Sequence, residues 1–286
     1  MLMRILHIST AFITMIVLLF IFAENKTSET MKFFPIDETI QFTEAETNLS
    51  LLQQLSNDQY QIRWVSSSKM NEPVYLRQDI SILYMDGILI GMKGLWKEEE
   101  KDITLKLDFE ESDSSHFQAI SYHHGEVHYP NDIIKSAQTM SYDDLYVIDS
   151  PYSPLEAFQK AETDLQKNWQ ETLDHATNQQ LHFRWKQWMD AEKINPDNYD
   201  LIPLTSLYLY NEQPITGLTQ DQTDRVIGQL WEGLYREYIL PFSQKKIISQ
   251  HVIPIILIDK NREYLLVLFK DENNQRKLLK QNITKS

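Results

Sequence analysis

No cysteine occurs anywhere in the 286 residues. That excludes a disulfide framework, a thiolate nucleophile, a cysteine-ligated zinc and a lipid-modified cysteine. Glycine is nearly as scarce, seven in all where average usage would give about twenty. Phosphate-cradling loops depend on glycine so that backbone N–H groups can close on the anion. Neither GxGxxG nor GxxxxGK[ST] is present, and GMKGLWK at 91–97 has the wrong spacing. Nucleotide binding through a standard loop is therefore not expected. Positive charge is also short, with 27 Lys and Arg against 41 Asp and Glu and a net charge of −14. Such a surface repels nucleic acid and anionic polymers. The hydrolase elbow GxSxG and the SxxK motif are missing too, and Ser66-Ser67-Ser68 before Lys69 reads as a loop. The sequence names no catalytic residue and implies no cofactor.

What the chain does have begins at its N-terminus. Nineteen residues from Ile5 to Ala23 carry no formal charge, and Glu24 ends the run. As a helix this stretch spans about 28 Å, near the hydrocarbon thickness of a bilayer. Two readings stay open: an uncleaved single-pass anchor, or a signal peptide cleaved near Ala23 so that the protein is secreted. Arg4 orients the segment with its N-terminus inside, leaving the bulk extracytoplasmic. An exported chain without cysteine, rich in Lys, Ile, Asn and Gln, points to a bacterial envelope.

Residues 24–41 are polar and read as a tether. Thr43-Glu44-Ala45-Glu46 matches a capping box, with Leu49, Leu52 and Leu55 at helical spacing, so a short helix to Ser56 is expected. From 57 to 150 strand patterns dominate. Asp86-Gly87 between two apolar runs is a two-residue hairpin signal, and residues 102–109 alternate. The whole reads as an antiparallel sheet with one solvated face. Asp143-Asp144 and Glu98-Glu99-Glu100 read as solvated loops. From 151 to 286 the pattern turns mixed. Ser153-Pro154 opens a long helix to Thr177, with a second segment around Leu181–Met189 for which a strand is the alternative. Residues 204–217 resemble a hairpin, Thr219 opens another helix, and 251–258 with 263–269 flank the polar turn DKNR. The predicted fold class is α+β: an N-terminal membrane helix, an antiparallel-sheet-rich half, then a helix-plus-hairpin half.

Two constellations stand out as candidate sites. In SYHHGEVHYPND at 121–132, strand alternation places His124, Glu126 and His128 on one face, with His123 on the other. Nitrogen and oxygen donors of that kind suit zinc, which makes His124, Glu126 and His128 the candidate metal set; the competing readings are a polar strand surface, which routinely carries histidine and glutamate, and a hairpin corner at His124-Gly125 that would scatter them. Trp185, Trp188 and Arg184 form the candidate ligand-binding group, since aromatic side chains line grooves for glycans or peptides; the competing reading is core packing. The expected function is a membrane-tethered extracytoplasmic module that binds another envelope protein or a peptide. The alternative is a metal-dependent envelope hydrolase centred on His124.

Overall fold

In β2 (Gln59–Met85) successive side chains from Tyr60 to Met70 alternate between fully buried and part-exposed, the signature of a strand with one face on a core. A computed structural model of the chain describes residues 31–56, 59–150, 152–243 and 251–283. The apolar run at 5–23 lies outside these residues; within them, no helix is long and apolar enough to cross a membrane. Residues 32–286 form one compact unit.

β2 turns at Asp86-Gly87, both with positive φ (49° and 75°), into β3 (Ile88–Glu111), as the turn chemistry predicts. β3 follows one edge of β2 from Tyr60 to Met85, with a register shift between Lys69 and Val74 around Pro73. The other edge is shared in succession by β1 (Phe42–Ser56) and β4 (Ser115–Tyr129). β4 pairs with β5 (Ile133–Ser150) and β5 with β6 (Ser153–Phe158). The sheet then curls until β1 faces β5. No backbone ladder joins these two among the described residues; side chains do. Thr47 and Ser141 meet at 2.7 Å, and the Leu49 N–H donates to Asp143 Oδ2 at 2.7 Å. Gln159 Nε2 holds the same carboxylate at 2.8 Å.

The rest of the chain covers the outer face of this near-barrel. Helix α1 (Asp164–Ala191) starts at a capping box between Thr163 and Gln166. A second sheet follows, ordered β10 (Arg276–Asn282), β9 (Tyr264–Lys270), β8 (Ile255–Asp259), β7 (Tyr199–Pro203). Helix α2 (Gln220–Leu234) buries Val226, Ile227, Leu230, Trp231 and Leu234, and continues through a π-turn at Tyr235–Ile239 into α3 (Leu240–Ser243). Tyr122 of β4 stacks on Trp231 with ring centroids 4.8 Å apart. The second half of β2 is thus buried on both faces, and the expected solvated sheet face is covered here.

The predicted fold class needs correction. Among the described residues antiparallel sheet accounts for 54%, with a near-barrel and three helices, so this part is mostly β rather than α+β in two halves. The helix expected at 43–56 is β1. Its capping-box pattern is overridden by packing: Thr47 and Leu49 are buried in the barrel, while Leu52 and Leu55 are exposed. The helix expected from Pro154 begins ten residues later, because Leu155 and Phe158 belong to β6, where Phe158 stacks on Tyr146 at 5.4 Å. Leu181–Met189 continues α1, the hairpin expected at 204–217 is a 3-10 helix over Leu204–Asn211, and β10 extends the second sheet beyond the last strand pattern read from the sequence. The hairpin around DKNR is present as β8–β9.

Residues 32–41, read as a tether, dock against the sheet. Ile36 bridges Ser136 in parallel, with Ser136 N donating to Pro35 O at 2.9 Å and Asp37 N to Ser136 O at 2.8 Å. Asp37 Oδ1 accepts the N–H groups of Thr39 and Ile40 at 2.8 and 2.9 Å. Burial pushes the Asp37 pKa up, but the bonds from Ile40, Thr39 and Tyr129 outweigh it and hold the carboxyl well below its ordinary 3.8. A carboxylate depressed in this way stabilises the fold above its unfolded pKa, and the contribution fades as pH falls through the folded value. Asp37→Asn is therefore expected to lower the melting temperature at neutral pH, with the gap to wild type narrowing as the pH is taken down towards 2. A gap that stays constant on acidification contradicts the assignment.

Candidate functional site

β4 runs unbroken through Gly125, so the histidines sit on a regular strand rather than at a corner. His124 is buried with Nε2 3.2 Å from Ser136 Oγ. Burial, with the Arg77 charge added, pushes its pKa down to about 4, so the ring is neutral. Glu126 and His128 contact each other at the surface, where His128 stacks on Tyr75 with centroids 3.8 Å apart. Among the described residues no group of three or more His, Cys, Asp or Glu is placed to hold a metal ion. Trp185 and Trp188 are buried, Trp185 donating its indole N–H to Ile253 O at 2.8 Å, while Arg184 lies on the exposed side of α1. The structure therefore does not bring Arg184 to the same surface as the two tryptophans.

His123, on the opposite face, enters the barrel. The interior there is apolar at one end (Tyr60, Ile62, Trp64, Phe117, Leu145, Val147) and around Met70, Val74 and Val127 at the other. A polar belt crosses between them. Trp64 Nε1 donates to Ser81 Oγ at 3.0 Å, Ser121 Oγ to Ser81 at 2.7 Å, and Thr47 Oγ1 to Ser121 at 2.7 Å. Ser141 Oγ lies 2.7 Å from Thr47 and 2.8 Å from His123 Nε2, and His123 Nδ1 lies 2.7 Å from Asp79 Oδ2. Ser68 also donates to Asp79, at 2.5 Å, and Arg77 contacts both Ser68 and Asp79. The Ser141–His123–Asp79 chain has the connectivity of a nucleophile, base and orienting acid. Burial argues against that chemistry: Asp79 and His123 have no exposed surface, and Ser141 is itself buried. The belt is structural.

The open site lies outside the barrel. A cavity of about 300 Å³ is bounded by β4 and β5 (His116, Gln118, Asp144, Tyr146), by α1 (Asp174, Asn178, His182, Trp185) and by Thr205 and Ser206 of the 3-10 helix, a size at the lower end for small-molecule sites. His116 Nε2 lies 3.3 Å from Asp144 Oδ2 and His116 Nδ1 3.3 Å from Asp174 Oδ1. Its ring stacks on Tyr146 with centroids 4.0 Å apart, and Tyr146 donates its hydroxyl to Asp174 at 2.9 Å. The turn fixes the backbone beneath: His116 N donates to Asp86 Oδ1 at 2.9 Å and Asp86 N to His116 O at 2.8 Å. Burial opposes charge on His116, but the carboxylates of Asp144 and Asp174 prevail and raise its pKa above the ordinary 6.5. Burial likewise pushes Asp174 up, and its bonds from His116 and Tyr146 bring it below its usual value.

A histidine whose pKa rises on folding contributes stability in full below its unfolded pKa and loses that contribution as pH climbs through the folded one. Wild type is therefore expected to lose stability relative to His116→Gln between about pH 6 and 8. Unfolding midpoints measured across that range check it; a difference independent of pH contradicts the doubly paired imidazolium.

Sequence reasoning missed this cluster because His116, Asp144 and Asp174 lie on three separate elements with no local spacing to signal them. Asp143-Asp144, read as a solvated loop, lies within β5. A crystal structure of a protein from Archaeoglobus fulgidus is similar to 42% of this chain and 100% of its own, at 10% identity and a TM-score of 0.21; so low a score carries no inference. No family model and no curated protein sequence matches the chain.

Proposed function

We propose that this chain is an extracytoplasmic binding module of a bacterial envelope, tethered by the apolar segment at 5–23, which takes its ligand in the cleft beside His116. The cleft carries the reading. It is open and polar, it is bounded by β4, β5, α1 and the 3-10 helix, and no serine or threonine lining it is hydrogen-bonded to the His116 ring among the described residues. A pocket with a rigid charged floor and no activated nucleophile suits binding rather than turnover. The long charge-free N-terminal run supports the location.

The absence of cysteine makes a direct test available. In Asn178→Cys, at the exposed rim of the cleft, the introduced thiol is expected to react with a membrane-impermeant maleimide added to intact cells, and to be protected by the native ligand. Lys106→Cys, on the exposed face of β3, is expected to react without protection. Labelling of both only after permeabilisation overturns the location; equal labelling with no protection under any condition overturns the binding role.

A further inference from the structure

We propose that the cleft beside His116 selects a compact organic cation, a primary or secondary amine, held by the carboxylates of Asp144 and Asp174. This rests on the cleft being a binding site and adds the chemical class of what it binds.

The lining decides the charge. Among the described residues no lysine or arginine borders the cavity, and its acids are Asp144 and Asp174. His116 is the buried cation beside them, but its side chain is only 6% exposed and both ring nitrogens already face a carboxylate. An anion entering here finds no lysine or arginine among the described residues and meets two carboxylates whose buried cation, His116, is already committed to them. A cation finds the reverse, since the side chains of Asp144 and Asp174 keep 30% and 35% exposure. An apolar ligand is disfavoured as well, because Asn178 and Ser206 would lose water without gaining a partner, while Gln118 keeps its bond to the Tyr142 hydroxyl at 2.9 Å. The amide oxygens and the hydroxyl suit the N–H donors of an amine and polar substituents next to it. A net charge of −14 draws cations towards the protein from a distance. A bare divalent ion fits less well: such ions want several convergent oxygens, and the imidazole of His116 stands between these two carboxylates.

The same geometry couples binding to a proton. The groups facing His116 are Asp144 and Tyr146 from β5, Asp174 from α1 and Asp86 from the β2–β3 turn, with His182 of α1 also lining the cavity. With His116 protonated, its charge offsets the two carboxylates. An arriving ammonium competes for the same negative charge and favours the neutral ring, so binding releases a proton. By linkage, affinity for the cation rises as pH rises through the His116 transition.

Isothermal titration of the full chain tests this, with 1,4-diaminobutane as probe and glycerol and succinate as neutral and anionic controls at matched ionic strength. Diaminobutane is expected to bind, more tightly at pH 8 than at pH 6 by threefold or more, with proton release visible as a dependence on the buffer's ionisation enthalpy. Succinate and glycerol are expected to give no binding. Asp144→Asn and Asp174→Asn are each expected to weaken the diamine tenfold or more, with circular dichroism confirming the fold. Succinate binding as well as the diamine, a diamine affinity that falls with pH, or no diamine binding at all overturns the proposal. Maleimide protection of Asn178→Cys separates the two levels: a cell component that protects it while diaminobutane does not bind leaves the binding module standing and removes the cation.

Discussion

Asp79→Ala is expected to cost about 3–5 kcal/mol of folding stability, the range for breaking a buried ion pair from one side. The carboxylate lies at the centre of the barrel's polar belt with no exposed surface, and Arg77 is equally enclosed. Arg77 Nη1 reaches Lys101 O at 2.5 Å, and its guanidinium lies 4.9 Å above the Phe42 ring. Burial lowers the Arg77 pKa against the opposing pull of Asp79; without that pull the buried cation keeps only the Lys101 carbonyl, Ser68, the Phe42 ring and the more distant charge of Asp102. His123 and Ser68 lose an acceptor at the same time. The surface pair Arg63–Asp108, at 2.8 Å and about a third exposed, is the control: Arg63→Ala is expected to cost far less than Asp79→Ala, because solvent screens an exposed pair. Chemical denaturation of both variants decides between an energetic belt and a passive one. The coupling gives a second check. Arg77→Leu is expected to destabilise the Asp79→Ala background much less than it destabilises wild type, because the penalty is an unpaired charge rather than a lost contact. Equal effects in the two backgrounds contradict this account.

Gly228→Ala is the second large effect. Gly228 lies in α2 where the helix crosses the docked N-terminal segment, and a Cβ there would fall 2.1 Å from Phe33 Cδ2 and 2.5 Å from Gln138 Oε1. Alanine ordinarily improves a helix by about 1 kcal/mol over glycine. Here overpacking reverses the sign, at a cost of about 1–3 kcal/mol. The damage spreads because Gln138 is anchored at both ends of its amide, accepting from the Tyr122 hydroxyl at 2.7 Å and donating to Asp224 O at 2.6 Å. Phe33 is also held, its N–H donating to Glu232 Oε2 at 3.0 Å. Adding Phe33→Ala to Gly228→Ala is expected to recover part of the stability, although Phe33→Ala alone destabilises. Thermal melts of the four chains form the cycle, and strictly additive losses contradict the clash.

Much of the local grammar was legible and much of the tertiary logic was not. Asp86-Gly87 announced its hairpin because positive φ at two consecutive positions leaves few residue choices. Thr219 and the apolar stripe behind it announced α2 for the same kind of local reason. Residues 43–56 misled, since a capping-box pattern is a weak local preference and the burial of Thr47 and Leu49 against β2 and β5 outweighs it. The strand alternation at 121–128 was read with the correct parity, yet it drew attention to His124, Glu126 and His128. The more connected rings are His123, facing inward, and His116, five residues before the cluster begins. Both acquire their partners from residues 18 to 58 positions away, and no spacing rule reaches across such distances.

The seam between β1 and β5 has a dynamic consequence. Elsewhere the wall of the tube is zipped by ladders of main-chain bonds, but along this line a single carboxylate, Asp143, grips the Leu49 amide while hydroxyls carry the rest. Of the lines between neighbouring strands of the tube, this one is therefore expected to open most readily. Deuterium should enter first at the β1 amides that face the seam, with Leu49 lagging behind its neighbours for as long as Asp143 holds on.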